Sequence, residues 1–273
     1  MPLPVIQPTQ DRSGSRVLAI YIQTEHHWAG HFGEPIRLDE GTAWASPEVP
    51  RVGEANQFVQ HAPHPNRATI QPLLAKVQSP FERLGCVCRR WTFDPCLGDV
   101  EAEAAQLRAM GWKDADVQVM LLAEGFTEPP IGLPRGVTVL PMRSAYSQVR
   151  ELSADAASRR NDPALVDAVL LHLDDPIVDG FLLMDGTKPL AGAMVMNVGE
   201  NARIESLYVH SQHRRRGLGR AMLSVVLHHC RRSASRRVMV GTGPGDQPAA
   251  TLYMKCGCET VGIVRQLDLP ENA

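Results

Sequence analysis

The stretch that most limits what this chain can become is LYVHSQHRRRGLGR, residues 207–220. A β-prone run ends at Val209 and a short polar turn follows. Gly217 and Gly219 then open a segment in which Leu218, Ala221, Met222, Val225 and Val226 recur at helical spacing. A strand that turns straight into an amphipathic helix belongs to a sheet with helices packed on it, so the expected class is α/β with a mixed sheet. The turn is also an expected anion site. The first turn of a helix leaves unpaired N–H donors at the positive end of its dipole. Glycines let a pyrophosphate approach the backbone. Arg214, Arg215, Arg216 and Arg220 add fixed positive charge around it.

Other phosphate-binding patterns fail on particular residues. A dinucleotide fingerprint needs a third glycine at 222, which is Met222, and no G-K-[ST] follows to make a P-loop. The net charge of −2 gives no general pull toward nucleic acid or an anionic membrane, and no stacking aromatics accompany the arginines.

The rhythm around the turn is clear. Strands are expected over 137–142, 178–184, 189–197, 202–209, 237–240 and 258–267, and helices over 144–158, 163–173, 217–230 and 248–255. The order is β-α-α-β-β-β-α-β-α-β, with DG at 185–186 and GEN at 199–201 as tight turns. The preceding half is different. It holds all four tryptophans and five of the six phenylalanines, so it builds another core. Its expected elements are a strand over 16–23, irregular loop over 24–55, a helix over 69–84 cut by Pro80, a strand over 86–93, a helix over 99–110 closed by Gly111, and a strand over 117–122. TEPPIGLPRG at 127–136 breaks both helix and strand, which divides the chain into an accessory domain, 1–132, and a catalytic domain, 133–273.

The run from Arg214 through Gly217 to Gly219 resembles the [RQ]-x-x-G-x-[GA] signature of the GNAT acetyltransferase superfamily. IESLYV at 204–209 resembles that family's fourth strand, and AATLYMKCG at 249–257 its A-x-x-L-Y-x-K-x-G-F segment. The departures are Ser211 for a frequent proline, Cys258 for the final phenylalanine and Asp246 for an asparagine. The N-terminal half, with Arg90-Trp91, Pro95 and Met110-Gly111-Trp112, more faintly resembles the non-catalytic first repeat of tandem GNAT proteins, though it carries no R-x-x-G-x-G. A degenerate repeat and an unrelated accessory domain both remain open.

The resemblance implies a GNAT fold over 137–266 and acetyl-CoA as cosubstrate. It implies transfer of the acetyl group to a primary amine by direct attack in a ternary complex, with no metal. Backbone groups of Leu207, Tyr208 and Val209 would pair with the pantetheine arm. The turn from Arg214 to Arg220, with Gly217, Leu218 and Gly219, would hold the pyrophosphate. Tyr253 matches the tyrosine that protonates the departing thiolate, or else is a buried ring covering the sheet. Glu205 is the candidate general base, but it shares a strand face with Arg203, and that pairing explains it equally. His210 and His213 read as neighbours of the phosphate turn. Asp174 and Asp175 either attract a cationic acceptor or end a helix. A non-enzymatic acyl-CoA-binding module is the competing reading.

No run approaches the roughly 18 apolar residues of a membrane span, and residues 1–12 do not read as a secretory leader. The expected location is the cytoplasm. The C-x-C pairs at Cys86/Cys88 and Cys256/Cys258, with Cys96 and Cys230, read as reduced packing residues ahead of a metal site, because their spacing is not that of a zinc site. The acceptor and the oligomeric state are not written in the sequence.

Overall fold

The glycines, helix stripes and strand runs assemble into two sheets, and each sheet is completed by a strand from the other half of the chain. A computed structural model describes residues 14–65, 69–127, 132–160, 163, 165–233 and 235–270. The first half contains α1 (Gly14–Gly30), β1 (Ile36–Arg37), β2 (Gly41–Trp44), β3 (Gln57–Gln60), α2 (Gln71–Arg83), β4 (Arg90–Phe93), α3 (Glu101–Ala109), β5 (Lys113–Asp114) and β6 (Val117–Leu122). The second contains β7 (Val137–Pro141), α4 (Tyr146–Arg160), α5 (Leu165–His172), β8 (Val178–Asp185), β9 (Lys188–Val198), β10 (Asn201–Val209), α6 (Leu218–Arg232), β11 (Arg237–Thr242), α7 (Gln247–Lys255), β12 (Cys258–Val264) and β13 (Gln266–Asp268). The interdomain run of prolines lies partly outside the described residues, as does the N-terminal segment 1–12.

The larger sheet runs β12-β6-β11-β10-β9-β8-β7 and the smaller β1-β2-β3-β4-β13-β5. Thus β6, from before the proline-rich stretch, sits between β11 and β12, antiparallel to both. In return β13 pairs with β4 and β5. Side chains pin that exchange. Arg90 is bidentate to Asp268 at 2.8 and 2.9 Å, and the buried Gln266 amide donates to Thr92 Oγ1 at 2.9 Å. The single strand expected over 258–267 is therefore two. The chain leaves one sheet after Val264 and enters the other at Gln266.

Residues 16–23 form helix, not strand, and the helix runs on to Gly30 through part of the expected loop; β1 and β2 occupy more of that loop. An eight-residue window rich in Val, Leu and Ile suits either structure. The repeat becomes helical only when followed further, because Val17, Tyr21, Thr24, Glu25 and Trp28 form one buried stripe. That stripe lies between the two sheets. Its cluster joins Val17, Tyr21 and Ile22 to Trp44 and Val59 of the smaller sheet and to Val119, Leu121 and Met239 of the larger. Gly241 makes the approach possible, since a Cβ there would lie 2.3 Å from the Tyr21 hydroxyl. Helix α6 packs on the larger sheet through Leu218, Met222, Val226 and Cys230.

Candidate active site

The site begins where β10 leaves its neighbour. β10 runs parallel to β11 from Asn201 to Ile204 and antiparallel to β9 from Asn201 to Val209, with a bulge between Glu205 and Tyr208. Ser206 at φ 50° marks the bulge. Beyond Ile204 the parallel pair separates, so the backbone of Leu207, Tyr208 and Val209 lacks a strand partner on the β11 side.

Two openings meet at this separation. One is a cleft of ≈ 580 Å³ walled by Leu207, Tyr208 and Val209, by the turn into α6, and by Pro248, Leu252 and Tyr253 of α7. The other is a cavity of ≈ 300 Å³ whose wall includes Glu205, Arg203 and Tyr253 together with Glu25, Trp28 and Glu54 from the first half. Leu207, Asp246, Ala249 and Tyr253 border both. Tyr253, 5% exposed, thus stands at the junction.

The glycine turn has the geometry of an anion cradle. Arg215 and Gly217 both adopt positive φ, 64° and 79°, with Gly217 capping α6. Alternating backbone handedness of this kind converges N–H groups on one point. A Cβ on Gly217 would meet nothing within 4 Å, so the space beside it is open. Gly219 serves packing instead, since a Cβ there would lie 3.3 Å from Leu252. Arg215 and Arg220 line the cleft with the backbone of the turn. Arg214 lines it too, but its Nε donates to the Val209 carbonyl at 3.1 Å and its guanidinium lies 5.0 Å from the Tyr208 ring centre. Arg216 is exposed and is not part of the cleft wall. The anionic, extended shape of a coenzyme A arm fits a basic turn at one end and an unpaired strand edge along its length.

Asp155 of α4, which the sequence did not single out, clamps the end of β10. It accepts from the Tyr208 hydroxyl at 2.7 Å and from the Ser211 N–H and hydroxyl at 2.7 and 2.6 Å. Burial pushes its carboxyl up, but these donors outweigh burial and hold its pKa down at about 2. Ser211, at the position of the family's proline, thus has work of its own. Asp246 caps α7 by accepting from the Ala249 N–H at 3.1 Å. The buried Cys258 stands beside Gly257, whose missing Cβ leaves room for the Phe126 ring.

In the inner cavity, Glu205 does pair with Arg203, and Arg203 also binds Glu25 and the Thr24 hydroxyl, with its guanidinium 4.3 Å from the Tyr21 ring centre. One guanidinium serves two carboxylates. Burial therefore dominates Glu205, and despite Arg203 its pKa rises to about 7. Glu25, Trp28, Glu54, Arg90 and His172 were not anticipated as lining residues. The available signal was Glu25, a charged residue on the stripe of Val17, Tyr21 and Trp28, which only a helical reading exposes. His210 lies 3.9 Å from Asp155. Asp174 and Asp175 close α5, accepting from the Tyr146 hydroxyl and the Ile177 N–H. Among the described residues no group of three or more His, Cys, Asp or Glu is arranged to hold a metal, and no helix is long and apolar enough to cross a membrane.

The splayed parallel pair has a glycine-opened helix on one side and the Tyr253 helix on the other, the arrangement expected from the GNAT resemblance. Residues 146–258 match the family model described as Acetyltransferase (GNAT) family. A GCN5-related N-acetyltransferase from Kribbella flavida superposes with a TM-score of 0.65 at 17% identity, covering 94% of this chain and 95% of that one. A Staphylococcus epidermidis protein described as functionally unknown gives 0.68 at 13% identity, covering 86% and 93%. A tandem GNAT protein from the clavulanic acid biosynthesis pathway gives 0.51 at 16%, covering 77% and 72%. No curated protein matches the chain in sequence. The chain carries a GNAT-family acetyltransferase domain and is an acyltransferase. Acyl transfer from acetyl-CoA is the general chemistry of that family.

Proposed function

We propose that this protein moves the acetyl group of acetyl-CoA to a primary amine by direct attack in a ternary complex. The observation that carries the reading is the junction at Tyr253, which borders both the cleft behind the glycine turn and the acidic inner cavity. The backbone of Leu207, Tyr208 and Val209 aligns the pantetheine arm. The turn N–H groups around Gly217, Leu218 and Gly219, with Arg214, Arg215 and Arg220, hold the pyrophosphate. Arg216 contributes long-range charge. The thioester carbonyl is thereby placed at the mouth of the inner cavity.

Glu205, with a pKa of about 7, removes a proton from the incoming ammonium, directly or through water. The amine nitrogen attacks the thioester carbonyl carbon, the C–N bond forms and the C–S bond breaks. The Tyr253 hydroxyl gives its proton to the departing sulfur, the second proton lost by the adduct nitrogen returns through water to the Tyr253 phenolate, and Glu205 releases its proton to solvent. Burial raises the Cys256 thiol and pushes that of Cys258 up to about 12, so neither is a ready thiolate nucleophile. Residues 133–273 supply the cosubstrate site and residues 1–132 act as the accessory domain. That domain is a degenerate repeat of the same fold, a reading supported by the share of the tandem relative that superposes.

The test is thiol release from acetyl-CoA in the presence of an amine library, with mass spectrometry of enzyme incubated with acetyl-CoA alone. Thiol release that depends on amine, with unmodified enzyme, is expected. An acetylated cysteine that turns over on addition of amine would replace direct attack with a two-step route. Acetyl-CoA binding without release for any amine would favour the non-enzymatic binding module.

A further inference from the structure

The inner cavity carries more negative charge than one reacting ammonium explains. Arg203 is shared by Glu25 and Glu205. Arg90 is held bidentate by Asp268, with Glu54 only 3.7 Å from its other nitrogen. Glu25, Glu54 and Glu205 line the cavity with these two guanidiniums, and Asp268, which does not line it, already neutralises Arg90. Glu54 accepts a hydrogen bond from Trp28 Nε1 at 2.8 Å, which aims its carboxylate without neutralising it.

Two buried side chains in the same wall carry polar atoms that have no hydrogen-bond partner. Glu25 is 3% exposed and its Oε2 has no hydrogen bond. His172 is 1% exposed and neither ring nitrogen has one, although the ring is fixed by stacking on Trp28. Burial lowers the His172 pKa to about 2, with His31 and Arg203 adding to it, so the ring is neutral. A neutral imidazole has one donor and one acceptor to satisfy, and leaving such groups unpaired costs stability. These groups lie on the side of the cavity built by α1, α5 and the loop before β3, away from the glycine turn. The volume of ≈ 300 Å³ suits a small molecule.

We infer that the acceptor is a small dication, an alkane diamine or an amino-guanidine. Its reacting amine lies at Glu205 and its second cationic group is held by Glu54 and Glu25, with His172 supplying a neutral hydrogen bond. The inference rests on the acetyl-transfer reading for the identity of the reacting end, but the second subsite stands on the cavity itself. The N-terminal half would then decide which amine is acetylated, while the glycine turn handles the cosubstrate.

The experiment is calorimetric titration of the full-length protein with alkane diamines from diaminopropane to diaminohexane. n-Butylamine and n-hexylamine serve as matched monocations, and acetyl-CoA is titrated separately. At least one diamine should bind about tenfold or more tighter than its monocation, the scale of one charged hydrogen bond. Glu54→Gln should erase that preference, and so should Glu25→Gln. Unchanged acetyl-CoA affinity in both variants would show that they are folded. Equal binding of monocation and diamine, or a preference that survives Glu54→Gln, would overturn the inference. If acetyl-CoA fails to bind while the diamine preference holds, the acetyl-transfer reading falls and the dication site stands.

Discussion

Glu205→Gln isolates the proton-transfer step. In the folded protein the Glu205 carboxyl titrates near pH 7, against an ordinary value of 4.5, because burial outweighs its pairing with Arg203. A shift of that size costs the ionised form about 3 kcal/mol. Folding stability from this group therefore falls as pH rises between about 4.5 and about 7. Activity runs the other way, since only the ionised carboxylate accepts a proton. In the wild type, kcat/KM should rise with unit slope below an apparent pKa near 7 and level off above it. Glu25 shares Arg203, so that pKa belongs to the three-group cluster. Glutamine keeps the shape and leaves Arg203 paired with Glu25. The variant should fold, lose about 10²-fold or more in kcat, and lose the acidic limb. The assay is thiol release from pH 5 to 9 over a range of amine concentrations, giving kcat/KM from the subsaturating rates and kcat at saturation, beside thermal melts at the same pH values. The variant's stability relative to wild type should improve as pH rises from about 4.5 to about 7 and level off above that, because the glutamine never carries the buried charge. A variant within a few-fold of wild-type rate, or one retaining the limb, would refute the role assigned to Glu205.

Other expectations follow from separate contacts. Tyr253→Phe should lower kcat by about 10²-fold with little change in acetyl-CoA affinity, since only the proton donor is removed; equal loss of both would make the tyrosine a packing residue. Asp155→Ala should destabilise the protein by about 1–2 kcal/mol at neutral pH, a discounted value for a partly exposed group. Because the folded pKa is depressed to about 2, that gap should close as pH falls from about 4 toward 2, which urea melts at several pH values would measure. Leu267→Ala removes a fully buried side chain that faces Trp91 across the β4–β13 pair. It should cost about 2–5 kcal/mol and shift tryptophan emission to the red, though residue 267 is distant in sequence from every tryptophan. Unchanged emission would mean that β13 does not complete the first sheet.

Legibility in the sequence followed the range of the forces involved. The strands β8, β9 and β10, helix α6 and its glycine turn were readable because each is set by local alternation, helical spacing or backbone freedom within about ten residues. The outer cleft proposed for the cosubstrate was readable as a surface feature for the same reason. Its parts are contiguous from Leu207 to Arg220, with Tyr253 carried by a second short motif. Helix α1 was misread because Val17, Ile20 and Ile22 give its 16–23 window a strand-like composition and its buried stripe includes Glu25, whose burial depends on Arg203 far along the chain. The exchange of β6 and β13 was invisible in principle, since strand identity is local but the sheet a strand joins is decided by distant partners. The inner cavity shares that fate. Glu25, Glu54 and His172 come from three separated segments, and nothing in their local spacing announces that they meet. Asp155 sits in a helix of ordinary polar character, and only the distant Tyr208 and Ser211 explain it.

The most direct test of the central claim is acetyl-CoA binding by the wild type and by Gly217→Glu, followed by calorimetry. Residue 217 lies beside open space, so the variant places a carboxylate in the cradle without touching Leu252; because φ there is 79°, which strains any side chain, Gly217→Ala is the matched control that carries the strain without the charge. Micromolar binding by the wild type, lost in a variant that melts cooperatively, is the predicted result. A folded wild type that does not bind acetyl-CoA, or a variant that binds it equally well, would contradict the assignment of this turn as the cosubstrate site.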